Sequence, residues 1–371
     1  MTKLISKIFK AANIFVVFLY LLACTIPFLP SGKYWVIQVL GLMFPILFFI
    51  VAVFLIGWAI ARSKWMLLSL VAILLSWKQL SVVVGLNKEQ FNITKTDTTL
   101  RVFTWNVSSW GETNKSRMHT PNSGNRMIDF VKDQQADVLC FQEFYDFIRV
   151  KSNYSIIRTF KEMGYNYSYF VKTSIGKVNY KTGVAILSRY PIVDTAKFLY
   201  GEKDYAEHLI YADILYKGKK VRVFTTHLQS VRFEGEQYAS LRKIRQTDET
   251  GLKGSETIVK KLKIAYQYRG AEADLLREKI NESPYPAIVC GDFNDVPNSY
   301  TYFKVKGDMQ DAFLVKGNKF GRTFRYLSPT LRIDYIFADR NFSVEQFSRI
   351  IAPYSDHYPV VADLKLAHTG M

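Results

Sequence analysis

The sequence predicts a layered α+β domain, with sheets inside and helices outside, preceded by a helical segment that enters a membrane. Three observations carry this reading. Residues 1–88 hold no Asp or Glu and consist largely of long uncharged apolar runs. From about residue 99 the pattern changes to short segments rich in Val, Ile, Phe and Tyr, bounded by Gly, Pro, Asn or Asp, as strands and their turns read. Helical periodicity fills some of the gaps between those segments. The resulting division is a membrane anchor over 1–86, a polar linker over 87–98 and a second domain over 99–367.

The anchor comes first. Ala11–Leu29 is uncharged and, at about 1.5 Å per residue, long enough to cross a hydrocarbon core of about 30 Å. Tyr34–Ala61 is longer and equally uncharged, with Pro45 as an expected kink. A third run, Trp65–Val84, is interrupted by Lys78 and Gln79, and its Trp65 and Trp77 suit interfacial anchors. It reads as a short third span or as a helix lying in the interface. Lys3, Lys7 and Lys10 precede the first run and Arg62 and Lys64 follow the second, while only Lys33 lies between them. The excess of basic residues in cytoplasmic loops then places the N-terminus and the 62–64 loop inside. Three spans put everything after residue 88 on the outer, periplasmic side of a bacterial-type inner membrane; two leave it inside. The uninterrupted stretch Trp65–Trp77 favours three. Leu21-Leu22-Ala23-Cys24 also resembles a lipoprotein cleavage site, but the long span directly after it makes a lipid on Cys24 redundant.

Charge and cysteine content bound the partners. The formal net charge is +17, and eight of the 49 basic residues lie in 1–88. That leaves 41 basic against 32 acidic residues in 89–371, a surplus that favours anionic ligands such as phosphate esters, nucleic acid and acidic headgroups. The bland reading of the same surplus is solubility. Cys24, Cys140 and Cys290 form no metal-type spacing, and the last two read as small hydrophobes inside strands.

Within the second domain the expected strands are Leu100–Val107, Asp137–Gln142, Gly183–Leu187, Ile210–Tyr216, Lys220–His227, Pro286–Asp292, Leu331–Phe337 and Pro359–Leu366. Helices are expected over Asn125–Gln135 and Ala265–Ile280. Residues 232–264 form a basic insertion, with Arg242-Lys243-Ile244-Arg245 and Lys260-Lys261-Leu262-Lys263 around Gly251 and Gly254. The default expectation there is a solvated loop, and the sharper one is a phosphate-lined lip or a headgroup contact.

Polar residues recur where a strand pattern stops: Asn106, Gln142-Glu143, His227, Asp292 with Asn294, and Asp356-His357 before the last strand. Such groups at the ends of apolar strands can converge on one sheet edge. Singly, each has a structural explanation, as a turn residue, a strand-ending loop or a satisfied core histidine. Together, Trp105-Asn106-Val107, Phe141-Gln142-Glu143, Thr226-His227-Leu228, Gly291-Asp292-Phe293-Asn294, Arg332-Ile333-Asp334-Tyr335-Ile336 and Ser355-Asp356-His357-Tyr358-Pro359 resemble the successive motifs of the endonuclease/exonuclease/phosphatase superfamily. Gly183–Ser188 followed by Tyr190-Pro191 resembles its central strand and turn. Thr226-His227-Leu228 is similar to the branch of pancreatic-type deoxyribonucleases, sphingomyelinases, phosphoinositide hydrolases and RNA-tail hydrolases, and departs from the abasic-site repair enzymes.

The resemblance implies a four-layered α/β/β/α sandwich and divalent-cation-dependent phosphoester hydrolysis. It implies Glu143 as ligand of a hard cation, Mg²⁺ or Mn²⁺, supported by Asn106, with Asp356 in a second metal position. Asp292 is expected to orient or deprotonate the attacking water, and Asn294 to donate to a phosphate oxygen. His357 is expected to pair with Asp334, which fixes its tautomer, and His227 to contact phosphate and assist the leaving group. The implied substrate is a phosphoester, in nucleic acid or in a phospholipid or inositol-phosphate headgroup, with the bilayer as the other partner and no protein partner. Phosphodiesterase or nuclease-type action is favoured, a sphingomyelinase-like headgroup hydrolase is the alternative, and a non-catalytic membrane adaptor is the third reading. Intact Glu143, Asp292, Asn294, Asp334 and His357 argue against the adaptor.

Overall fold

In a computed structural model of the chain, residues 3–88, 90–111, 123–146, 155–173, 182–200, 208–231 and 249–367 are described. They divide into two compact units. The first gathers residues 1–83, 229–274 and 295–304; the second gathers 84–228, 275–294 and 305–371.

The first unit begins with helices α1 (Lys3–Cys24), α2 (Trp35–Ile60), α3 (Met66–Leu75) and α4 (Trp77–Leu80). Leu4–Phe28 and Trp35–Ile60 are long and apolar enough to cross a membrane. Phe9 packs on Phe54 and Trp58, so α1 and α2 run antiparallel. The third run breaks at Ser76 into two short helices. They lie alongside α1 in its own direction: Ser69 Oγ donates to Asn13 Oδ1 at 3.0 Å, and Gln79 Nε2 donates to the Cys24 carbonyl at 2.7 Å. The outer faces of α1, α2 and α3 are apolar and exposed, including Phe15, Phe18, Val53 and Leu74.

Much of the rest of this unit is the start of a long helix, α7 (Glu249–Asn281). The expectation of a loop through 232–264 is corrected there. Ile258, Ala265, Tyr266, Arg269, Ala273, Leu276 and Ile280 are all buried; at three-, four- and seven-residue spacing they form one helical face, which overrides Gly251 and Gly254. Arg242–Arg245 and the rest of 232–248 lie outside the described residues.

The second unit holds the two large sheets. Strands β2 (Leu100–Asn106), β3 (Val138–Tyr145), β4 (Tyr167–Lys172), β5 (Thr182–Ser188), β13 (Phe342–Arg349) and β14 (Val360–Leu366) form one, in the order β13-β14-β2-β3-β5-β4. Strands β6 (Ile192–Leu199), β7 (His208–Tyr216), β8 (Lys219–His227), β9 (Ala287–Asp292), β10 (Gln310–Asp311) and β12 (Asp334–Ala338) form the other, in the order β10-β12-β9-β8-β7-β6. A two-residue pair, β1 (Gly85–Leu86) with β11 (Asn318–Lys319), stands apart. Helices α5 (Ser123–Asp133) and α6 (Ile156–Glu162) cover the outer face of the first sheet, and α8 (Ala312–Lys316) joins the packed interior.

Alternation along the strands sorts the core. Val102, Val138, Cys140 and Ile186 meet Ile210, Val223, Ile288 and Cys290 between the sheets. Phe103, Trp105, Leu139 and Phe141 point outward to Met127, Val131 and Phe160. The buried Gln142 ties the layers together, donating to Thr225 Oγ1 at 2.9 Å and to Thr104 Oγ1 at 3.1 Å. This is the four-layered arrangement expected. The seventh expected strand, Leu331–Phe337, forms only from Asp334.

Candidate active site

Each sheet has one parallel pair at its centre, β2 with β3 and β8 with β9. Both pairs end on polar residues: Asn106 lies beside Gln142, His227 beside Asp292, and Asp334 faces Asp292 across the antiparallel β9–β12 pair. Carboxyl ends of parallel strands are where open α/β sheets place ligands. All eight residues singled out in the sequence belong to the second unit.

Asp292, fully buried, is the hub. Asn106 Nδ2 donates to its Oδ2 at 3.1 Å and to Glu143 Oε1 at 3.1 Å. His227 Nε2 lies 3.5 Å and His357 Nε2 3.6 Å from the same Oδ2. His357 Nδ1 sits 3.1 and 3.0 Å from the two Asp334 oxygens, which places a proton on Nδ1 and leaves Nε2 turned toward Asp292. The expected His357–Asp334 pair is therefore present. Ser355 Oγ donates to the Asn106 carbonyl at 2.8 Å and accepts from the His357 N–H at 3.2 Å, and the Trp105 indole donates to the His357 carbonyl at 2.9 Å. The imidazole is thus fixed at ring and backbone alike.

Local backbone geometry aims two of these side chains. The β3–β5 register shifts between Phe141 and Phe144, and Glu143 within that bulge has φ of 50°. A bulge re-aims one side chain, and here it turns Glu143 toward His227 and Asn106 while Gln142 stays in the core. Asn294 also has positive φ, 51°, and its N–H closes onto Asp292 Oδ1 at 2.8 Å. One Asn294 amide hydrogen goes to the Leu228 carbonyl at 2.9 Å.

Burial holds the Asp292 carboxyl above the usual range, against the imidazoles of His357 and His227 and with Asp334 adding to the rise. Glu143 is raised by desolvation too, although its side chain keeps 39% of its surface open. At His357 burial opposes the imidazolium, but Asp334, Asp292 and Asp356 outweigh it and hold the ring well above its ordinary value.

Three donor groups, Asp292, Asp334 and His357, bring ligand atoms within 4.8 Å of one another. Carboxylates gathered in a buried pocket, two of them raised chiefly by desolvation, together with oxygen-rich donors, fit a hard divalent cation. Asn106 fits with one change: its Nδ2 faces the carboxylates while Oδ1 accepts from the Ser108 N–H at 3.0 Å. Ligation by its oxygen requires the amide to turn over. Asp356 lies near enough to add to the shifts of Glu143 and His357, and its carbonyl accepts from the Arg325 N–H at 2.8 Å.

Sequence reasoning missed the 323–325 segment. Thr323 Oγ1 accepts from the Ile333 and Asp334 N–H groups at 2.9 and 3.0 Å, and Phe324 pairs with His357 both by backbone and edge to face at 5.1 Å. The stretch carries no strand or cap signal, so residue type alone did not expose it.

The chain matches the model of the Endonuclease/Exonuclease/phosphatase family over residues 103–357, and that of a domain of unknown function over residues 6–83. No curated protein matches it. Among solved structures it is similar to an endonuclease/exonuclease/phosphatase from Beutenbergia cavernae, at 20% identity and TM-score 0.52, covering 73% of this chain and 72% of that one. It is also similar to the human nocturnin catalytic domain with bound sulfate anion, at 17% identity and TM-score 0.50, covering 74% and 97%. At these identities the likeness is one of fold.

Proposed function

Starting from the fact that the chain belongs to the endonuclease/exonuclease/phosphatase family, a family of phosphoester hydrolases, we propose that it is a membrane-anchored, divalent-metal-dependent phosphodiesterase of nuclease type. The observation that carries the proposal is the convergence of His227 Nε2, His357 Nε2 and Asn106 Nδ2 on one oxygen of a buried carboxylate, Asp292.

A phosphodiester resists attack because its oxygens already repel a nucleophile, so a catalyst must offset charge and align the attacking group. Asp292 accepts a proton of the attacking water and orients it. His357, held by Asp334, presents Nε2 to the phosphoryl oxygens, and its raised pKa keeps a positive charge there. His227 presents Nε2 from the neighbouring strand end and protonates or hydrogen-bonds the leaving oxygen. Glu143 and Asp356, with Asn106 turned over, are the groups that would hold Mg²⁺ or Mn²⁺. When bound, such an ion would supply Lewis-acid neutralisation of charge on the phosphate.

The exposed apolar surface of α1–α3 supports a second reading of the substrate, a phospholipid or inositol-phosphate headgroup in the anchoring bilayer. The two readings separate on the full chain in lipid nanodiscs with Mg²⁺ or Mn²⁺, given single-stranded DNA, RNA, sphingomyelin and phosphoinositides in turn. Cleavage of nucleic acid that weakens steeply with salt supports the first, and cleavage confined to headgroups replaces it with the second. Failure of every phosphoester with either ion overturns both.

A further inference from the structure

Two chain segments leave the site, and both are caught by one turn of α7. Gln229, immediately after His227-Leu228, donates its N–H to Glu272 Oε2 at 2.8 Å. Asp295, immediately after Asp292-Phe293-Asn294, places Oδ2 3.9 Å from Arg269 Nε. Arg269, Glu272 and Asp295 are all buried. Buried charges are costly unless matched, so three of them at the exits of two site-bearing strands call for a reason.

The same stretch of α7 and the segment after Asp295 fold with the N-terminal helices in one unit. Ser31, in the α1–α2 turn, donates to the Tyr266 carbonyl at 2.8 Å. Asn298 Nδ2 donates to the Ala23 carbonyl at 3.1 Å, and the Tyr300 N–H donates to Gln38 Oε1 at 3.3 Å. Ser31, Gln38 and Asn298 are buried. Gly41 on α2 lies so close to the Asn298 carbonyl that a Cβ would overlap that oxygen.

We propose that the N-terminal helices are a working part of the hydrolase rather than a detachable anchor: the α1–α2 turn and α2 seat α7 and residues 295–304, and Arg269 and Glu272 act as positioning residues that set where the chain leaves His227 and Asp292. The proposal rests on the assignment of those two residues to the site. It follows that a membrane-free fragment lacking residues 1–83 is not an equivalent enzyme, since Tyr266, Asn298 and Tyr300 lose their partners in it.

Two glycines of one helix supply the test. Alanine is favoured over glycine in a helix by about 1 kcal/mol, so neither Gly41→Ala nor Gly57→Ala weakens α2 by propensity. At Gly41 the added methyl must displace the Asn298 carbonyl, whereas at Gly57 it meets only Phe9 Cζ at 3.7 Å, an ordinary contact. In full-length protein in lipid nanodiscs, amide hydrogen exchange over 227–230 and 294–302 is measured beside kcat and KM on bis-nitrophenyl phosphate. Gly41→Ala is expected to speed exchange in both segments by about tenfold, as local opening becomes easier. It is also expected to lower kcat by about tenfold with KM within twofold, a loss confined to the transition state. Gly57→Ala should match wild type in every readout. Glu272→Ala should reproduce the Gly41→Ala pattern, and Glu272→Gln, which keeps an acceptor for Gln229, should restore kcat to near wild type. Wild-type exchange and kcat in Gly41→Ala, or equal losses in Glu272→Gln and Glu272→Ala, overturn the proposal. A wild-type protein without turnover refutes the hydrolase reading instead, and the exchange comparison still decides this one.

Discussion

One buried oxygen, Oδ2 of Asp292, gathers three nitrogen groups. Two imidazoles and an amide face one carboxylate oxygen, while Glu143 and Asp334 stand close behind. Both Asp292 and His357 have folded pKa values above their unfolded ones, so the folded chain binds more protons than the unfolded chain between the two values. Stability then falls as pH rises, for Asp292 from about 4 and for His357 from about 6.5 up through the raised folded values. A divalent cation prefers the deprotonated carboxylates and opposes that loss. Thermal unfolding of the metal-free protein should show the midpoint dropping with pH across this range, and added Mg²⁺ should raise it more at pH 8 than at pH 5. A cation effect of equal size at both values would remove the carboxylates from the binding site. Which residues the fold brings together was legible from the motifs; the geometry was not. Nothing in Phe141-Gln142-Glu143 announced a bulge with Glu143 at positive φ, and nothing in Asn106 showed which way its amide faces.

At the scale of elements, the central strands were the readable ones. β2, β3, β8, β9 and β14 are buried along most of their length and carry Val, Ile, Leu or Phe at many of their buried positions. β4, β6 and β13 went unread because they lie at or near the sheet edges with mixed exposure, where Lys, Asp and Ser dilute the pattern. The start of α7 was lost to its lysines and glycines, since only tertiary burial reveals its inner face. One buried pair in this layer is a stability device remote from the chemistry. Arg101 on β2 donates to both oxygens of Asp363 on β14, at 2.6 and 2.9 Å. Removing one partner of a buried pair costs about 3–5 kcal/mol. Asp363→Ala should therefore lower unfolding free energy by about that amount in denaturant titration, with kcat of the folded fraction within twofold of wild type. A loss below about 1 kcal/mol would place the pair among weak surface bridges.

For the whole molecule, the direction of the third run matters most. α3 and α4 follow α1 from Asn13 to Cys24, returning the chain to the α1–α2 turn. If α1 and α2 cross the bilayer with Lys3, Lys7, Lys10, Arg62 and Lys64 inside, the chain after residue 83 continues on the outer side. Alkaline phosphatase fused after Met371 should be active in a bacterial host and a cytoplasmic fluorescent reporter dark; the reverse result would put the domain inside. Hydropathy favoured a third span on the uninterrupted Trp65–Trp77 stretch, although Lys78 and Gln79 interrupt the run. The structure gives Gln79 the Cys24 carbonyl and sets Lys78 over the Phe28 and Phe303 rings.

Phosphoester hydrolysis centred on Asp292 and His357 is tested most directly by turnover of bis-nitrophenyl phosphate by the full-length protein in nanodiscs with Mg²⁺ or Mn²⁺. Wild type should release nitrophenolate, chelation should stop it, and Asp292→Ala and His357→Ala should each lower kcat by about 10³-fold or more, as loss of a positioned acid–base group does. Turnover at the wild-type rate in either variant would contradict the roles assigned to them, and metal-indifferent turnover would contradict the cation.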